Sequence, residues 1–263
     1  MAKVYYVGDW AVLTGPVFAE TPFYHGPKGL DIFNYGKWLK AALESTGEHT
    51  VASVPTWDFY NKLGPGDYEA ILAEHDVLIF SDVDAKLFQL APGFFDRSQF
   101  GKKILTFPDR IRLTVEAVRN GKGVMFLGGW YSFTGELGKG GWGRTRLREI
   151  LPVGCLDFED LVESTEGFSA QVADDAAWLT ADALASMPPV LGYNKTVPID
   201  ASRVVATWSE TGDPMLAVRE VGHGRVLAYT SDPAPHWGCN FVFWPGYNAF
   251  WLRCLSWVLG NGL

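Results

Sequence analysis

The sequence predicts an α/β fold, a doubly wound and mostly parallel sheet with helices on both faces and a β-rich second half. Three observations carry that expectation. Short, nearly continuous apolar runs recur in the first half, as strands require when both faces of a sheet are covered. Segments of helical period lie between them and are joined by short turns, the alternation that builds a parallel sheet. From Phe168 onward, strand-like runs dominate, and one pair is joined by a hairpin turn.

In chain order, Val4 to Val7 is an apolar run closed by Gly8-Asp9 and reads as a buried strand. A loop rich in Gly, Pro and aromatics follows from Thr14 to Gly29. Ile32, Tyr35, Leu39 and Leu43 then recur at helical spacing, and Gly47 ends that helix. Val51 to Val54 is a second strand, and Val77 to Phe80, preceded by Asp76, a third that runs into Ser81-Asp82-Val83-Asp84. Lys86 to Phe107 has no clean period. Asp109 can cap a helix carrying Ile111, Val115 and Val118, closed by Asn120-Gly121. Gly123 to Leu127 is a fourth strand, entering Gly128-Gly129-Trp130.

In the second half, Phe168 to Val172, Val190 to Leu191, Arg203 to Trp208, Met215 to Val221 and Arg225 to Tyr229 are candidate strands. Gly222-His223-Gly224 reads as the turn between the last two. Tyr247, Phe250, Trp251, Cys254, Leu255 and Val258 form the apolar stripe of a final helix that packs on the sheet. No internal repeat or low-complexity linker interrupts the chain, so one domain is expected over residues 1–263.

Composition narrows the partners. Thirty acidic residues against 22 basic ones give a net charge of −8, which disfavours nucleic acid and anionic membrane surfaces. No apolar run approaches the roughly 20 residues of a membrane span. The start MAKVYYVGDW lacks a basic segment followed by an apolar one, so a cytoplasmic location is expected. Cys155, Cys239 and Cys254 form no C-x-x-C pair, and neither H-x-H nor H-E-x-x-H occurs. No metal and no cofactor are therefore expected. The 11 Trp, 10 Tyr and 17 Phe can fill a thick core, a homo-oligomer interface or the lining of a pocket.

In open parallel sheets, ligands bind at the carboxyl ends of the strands, near the point where strand order reverses. That rule gathers Gly8-Asp9-Trp10, Ser81 to Asp84, Gly129-Trp130-Tyr131-Ser132, and Ser231-Asp232 to His236-Trp237. The third segment has the shape of a nucleophile elbow, a strand that turns sharply between small residues. Its apex is Trp130, which has no nucleophilic heteroatom. Asp9, Asp82 and Asp232 can each tie a turn through the side chain, or together with His236 bind hydroxyls or act as acid and base. Asp82 and Asp84, if they point the same way, could hold a cation. The Gly-rich run from Gly135 to Gly143 lacks the full phosphate-loop pattern, although Arg144, Arg146 and Arg148 just beyond it could meet an anion.

Several of these motifs together resemble the glutamine-amidotransferase-like family, a branch of the class I glutamine-amidotransferase superfamily that also includes trehalose-utilisation ThuA-like proteins. They are Ser81-Asp82-Val83, Gly128-Gly129-Trp130-Tyr131-Ser132-Phe133, Gly140-Gly141-Trp142-Gly143-Arg144-Thr145, Leu151-Pro152-Val153, and Pro235-His236-Trp237-Gly238 with Trp244 and Tyr247. The resemblance implies a flavodoxin-like sheet. It places the superfamily's nucleophilic cysteine on Trp130, the histidine on or near His236, and the loop of the oxyanion hole on Ser81 to Val83. The acid two residues after the histidine falls on Gly238, so two of three catalytic parts are missing and glutaminase activity is not expected. Three functions remain open. The first is binding of a small polar, sugar-like molecule on the rim formed by Trp10, Trp130, Tyr131, Trp237 and Trp244. The second is a hydrolase or isomerase using His236 and an Asp, and the third is an assembly protein. The expected catalytic residue is His236. The expected ligand-binding residues are Asp9, Trp10, Ser81, Asp82, Trp130, Tyr131, Ser132, Asp232 and Trp237.

Overall fold

Strands apolar on both faces need a cover on each side, and a computed structural model shows both covers. It describes residues 1–13, 31–64, 66–91, 96–102, 106–173 and 178–261. The loop expected over 14–29 and part of the stretch from 86 to 107 lie outside the described residues. The first half runs through β1 (Ala2–Gly8), β2 (Trp10–Leu13), β3 (Asp31–Asn34), α1 (Lys37–Glu44), β4 (His49–Val54), α2 (Thr56–Asn61), α3 (Asp67–Glu74), β5 (Val77–Ser81), α4 (Ala85–Gln89), α5 (Arg110–Arg119) and β6 (Gly123–Leu127). The second half contains β7 (Gly154–Cys155), β8 (Leu161–Phe168), β9 (Ala170–Val172), α6 (Ala181–Leu184), β10 (Val190–Asn194), β11 (Thr196–Val197), β12 (Arg203–Trp208), β13 (Pro214–Val221), β14 (Gly224–Tyr229) and α7 (Tyr247–Val258).

The main sheet has the order β4-β1-β5-β6-β14-β13-β12-β9. The four pairings from β4 to β14 are parallel and the three beyond are antiparallel. This is a mostly parallel, flavodoxin-like sheet with an antiparallel extension. Alternation along each strand divides the core. Val4, Tyr6, Ile79, Met125, Leu127 and Leu227 pack against Leu39 and Leu43 of α1 and Phe250, Trp251, Cys254 and Leu255 of α7. Tyr5, Val7, Leu78, Phe80, Val124, Phe126 and Val226 meet Phe59, Tyr68, Leu72, Phe88, Ile111 and Val115, which come from α2 to α5. Asp109 caps α5 as its position suggests, accepting from the backbone N–H groups of Ile111 and Arg112 at 2.9 and 3.2 Å.

Two elements differ from expectation. Ile32 lies on β3 and Tyr35 in the turn after it, because Gly36 breaks the helical run and α1 begins at Lys37. Gly36 is required there, since a Cβ would stand 2.8 Å from the Tyr6 ring. The strand expected at Phe168 to Val172 is divided, with Leu161–Phe168 pairing to β10 and Ala170–Val172 to β12.

From β1 the chain crosses to β4 on one side and returns through α2 and α3 to β5 on the other. The carboxyl ends of β1 and β5 therefore border the reversal of strand order, where a doubly wound sheet opens a crevice.

Candidate functional site

Asp9 and Asp82 follow β1 and β5 directly, and both hold a left-handed backbone, with φ of 53° and 55°. Aspartate tolerates that region better than most residues, but it remains strained, and strain of this kind gathers at functional sites. The next turn in the sheet order, after β6, needs glycine twice. A Cβ on Gly128 would stand 2.3 Å from the Thr230 carbonyl oxygen, and one on Gly129, at φ 148°, would stand 2.8 Å from the Asp82 carboxylate. That tight approach lets the backbone N–H of Tyr131 donate to Asp82 Oδ1 at 2.6 Å. Ser132 Oγ donates to the Leu127 carbonyl at 2.6 Å and accepts from the Asp82 N–H at 3.0 Å, stitching the ends of β5 and β6 together.

Beneath this layer, Asp9 accepts from the Tyr6 hydroxyl and, at 3.0 Å, from Ser81 Oγ. After β14, Asp232 accepts from the Ala234 N–H and from His236 Nδ1, both at 2.7 Å. An ionised Asp232 fixes the Nδ1–H tautomer and leaves Nε2 as the ring's acceptor. The imidazole stacks on Trp130, with ring centres 5.6 Å apart and planes 24° from parallel, and touches Tyr35 at 4.4 Å. Trp130 itself is 45% exposed although it is one of the largest apolar side chains. A cleft of about 490 Å³ opens here, lined by Asp9, Trp10, Asp82, Trp130, Tyr131 and His236 together with Thr56, Asp84, Leu87 and Lys139.

Three carboxyl groups share one imidazole, and the electrostatics follow from that imbalance. Burial lifts Asp9 well above the usual carboxylate range, and the fields of Asp232 and Asp82 lift it further, against the donated Tyr6 and Ser81 hydrogen bonds. Burial also pushes Asp82 up to about 7, opposed by the Tyr131 N–H. Asp232 is raised by burial despite its bond to His236. For His236 burial works against the cation, yet the Asp232 hydrogen bond and the fields of Asp232, Asp9 and Asp82 outweigh it and raise the imidazole. The cleft thus holds two carboxyls, Asp9 and Asp82, raised above the usual carboxylate range, beside an imidazole oriented by Asp232.

Not every residue expected at the site reaches the cleft. Ser81, Ser132 and Asp232 are buried behind it and orient the residues in front. Trp237 turns away, donating to Glu163 at 2.8 Å and lying against Gly192, where a Cβ would stand 2.7 Å from its ring. Trp244 also lies elsewhere, bonded to Ser186 Oγ at 2.9 Å. Asp84 lines the cleft but commits Oδ1 to the N–H groups of Lys86 and Leu87, as the cap of α4. Among the described residues, no group of three or more His, Cys, Asp and Glu is arranged to hold a metal ion.

The resemblance places the acid partner of the histidine on Gly238, which has no carboxyl; in the structure His236 bonds instead to Asp232, four residues before it. Tyr6, Tyr35, Thr56, Leu87 and Lys139 were silent in sequence because they carry no motif. Asn194 of β10 was equally silent. It accepts from the Gly129 N–H at 2.9 Å and donates to the Gly129 carbonyl at 3.1 Å, clamping the elbow from outside the main sheet.

Residues 25–260 match the family described as "Putative glutamine amidotransferase". Among solved structures, the chain is similar to cytoplasmic protein STM1381 from Salmonella typhimurium LT2, with 28% identity, 97% of this chain and 99% of that chain covered, and a TM-score of 0.80. Cytoplasmic protein STM3548 from Salmonella typhimurium is similar at 27% identity, with 97% and 98% covered and a TM-score of 0.80. A ThuA-like protein from Parabacteroides merdae shares the fold at 12% identity, with 100% and 91% covered and a TM-score of 0.52. No curated protein matches the chain. No helix among the described residues is long and apolar enough to cross a membrane.

Proposed function

The chain belongs to the glutamine-amidotransferase-like family, and from that premise we propose that it binds a small polar, sugar-like metabolite in the cleft over β1, β5 and β6, without glutaminase activity. The observation that carries this reading is the pairing of an exposed aromatic wall with an acidic floor. Trp130 stands at the apex where a glutaminase needs cysteine, so attack on an amide has no nucleophile there. The same indole, backed by His236, offers a flat apolar face beside Trp10 and Tyr131. Sugars present an apolar ring face and a belt of hydroxyls, which such a wall and the carboxyls of Asp9 and Asp82 complement.

Native mass spectrometry of the protein incubated with cell metabolites tests the proposal. A retained polyhydroxylated molecule, lost in Trp130→Ala, is the expected result; retention unchanged in Trp130→Ala and His236→Ala would sink the site assignment.

One observation favours a second reading, a hydrolase or isomerase. The Asp232–His236 pair, whose imidazole its acid neighbours raise, lies beside Asp82, whose carboxyl is pushed up to about 7, so a base and an acid share the cleft. Turnover of the retained molecule, abolished in His236→Asn and Asp82→Asn, separates an enzyme from a binding protein. Homo-oligomer formation is proposed as the setting of the cleft, and sedimentation of the purified chain tests it.

A further inference from the structure

The cleft does not end at Lys139. A second cavity of about 610 Å³ adjoins it and shares Asp84, Leu87 and Lys139 with the first. Its lining adds Lys86, Arg144 and the backbone of Gly138 and Gly141, from the Gly-rich run. The charge changes sign across that boundary. Asp9, Asp82 and His236 face the first chamber, whereas Lys86, Lys139 and Arg144 face the second, with Asp84 between them.

We propose that the ligand is a phosphorylated polyol, with its sugar ring against Trp130 in the acidic chamber and its phosphate in the chamber of Lys86, Lys139 and Arg144. This rests on the sugar-binding reading given above and names the ligand class.

The basic side chains are disposed for an anion rather than spent on the protein. Arg146 is paired with Glu149 at 2.8 Å, but among the described residues Lys86 and Arg144 form no ion pair. Arg144 gives one Nη2–H to the Asp157 carbonyl at 2.7 Å, which fixes the guanidinium and leaves most of its fork of donors for another acceptor. Lys139 lies over the Tyr131 ring at 5.5 Å, with Glu136 only at 4.0 Å, so its ammonium bridges the aromatic chamber and the basic one. The one carboxylate at the boundary, Asp84, has an oxygen occupied by two backbone N–H groups, which weakens its repulsion of an incoming anion. Glycine is needed next to this cation. Gly138 takes a left-handed backbone there, at φ 71°, which any side chain would strain, and its Cβ position lies 3.6 Å from the Arg144 guanidinium. A phosphate monoester is the anion that suits a guanidinium fork and two ammonium groups together.

Calorimetric titration of the full chain with glucose, galactose, mannose, their 6-phosphates and inorganic phosphate tests the assignment. At least one hexose 6-phosphate is expected to bind about tenfold or more tightly than its parent hexose, the gain that charge-assisted hydrogen bonds supply. Lys86→Ala with Arg144→Ala should erase that advantage and leave the parent hexose within about twofold, whereas Trp130→Ala weakens both ligands. Lys86→Ala alone removes an exposed side chain and should already reduce the advantage in a chain whose fold is untouched. If a hexose binds but its phosphate binds no tighter, or if the advantage survives the double substitution, the phosphate chamber is wrong and the sugar reading stands. If no hexose or hexose phosphate binds, both fall.

Discussion

Asp160 and the trio Asp9, Asp82 and Asp232 are all carboxyl groups withdrawn from water, and they do opposite work. Asp160 accepts from the Thr134 N–H and the Gly135 N–H, each at 2.9 Å, and from Asn194 Nδ2 at 2.8 Å. Those donors oppose the rise that burial imposes on it. Asp82 accepts from one backbone N–H, that of Tyr131, and is raised by burial and by the field of Asp232, against which His236 acts. A carboxylate given three donors holds a shape. Carboxyls crowded together with few donors are costly to the fold, and the structure tolerates that cost at the mouth of a cleft. The antiparallel half of the molecule supplies the first kind of acid's partner through Asn194, and the parallel half presents the second kind.

The largest effect that could break this contrast is in Asp160→Ala. Three buried donors, two of them in the loop that leaves the elbow, would lose their acceptor at about 1–3 kcal/mol apiece, roughly 6 kcal/mol in all. Thermal melting should show a fall of many degrees, and ligand binding should fail with it. A variant that melts like the wild type would mean that Asp160 is no keystone.

Asp82→Asn should do the reverse. The Asp82 carboxyl titrates at about 7 in the folded chain against about 3.9 when unfolded. A group raised on folding contributes stability that is complete below the unfolded pKa and is lost as pH rises through the folded one. His236, also raised on folding, slopes the same way. Wild-type stability should therefore decline between about pH 4 and pH 7 relative to Asp82→Asn, by at most about 4 kcal/mol at 1.4 kcal/mol per unit and less for the partial exposure of the group. Melting curves of both proteins across that range check it, and parallel curves would show that Asp82 is not strained electrostatically.

The frame of this contrast was legible in the sequence to a useful degree. The apolar strands of the parallel half were readable because burial on both faces leaves no polar interruption, and Asp109 announced its helix through a capping position. The strand-end rule then gathered Asp9, Asp82, Trp130 and His236 in one region, and the cleft lines up all four. What stayed hidden depends on contacts distant in sequence. Asn194 sits 65 residues from Gly129, and nothing local marks it as the clamp of that turn. Sequence places Asp232 with His236 at one strand end, but not the direct bond between them. Trp237 neighbours His236 in sequence, yet the small Gly192 draws its ring to the other side. Tyr35 read as a helical position because Gly36, which stops the helix, is demanded by Tyr6 thirty residues earlier.

The last two tryptophan substitutions sharpen the contrast at its finest scale. Trp237 is buried and bonded to Glu163, so Trp237→Phe should cost about 1 kcal/mol through the lost hydrogen bond and leave ligand binding unchanged. Trp130→Ala should have the smallest effect on stability, within about 0.5 kcal/mol, because nearly half of the side chain is already in water. Its contact with His236 does not hold the imidazole in place alone, since Asp232 and Tyr35 fix the same ring from other directions. Ligand binding should nevertheless weaken sharply, because the aromatic wall goes with the indole. Denaturant melts beside calorimetric titrations separate the two tryptophans. A Trp130→Ala protein that is badly destabilised, or that binds as the wild type does, would assign Trp130 to the core and remove the reason for placing the ligand over it.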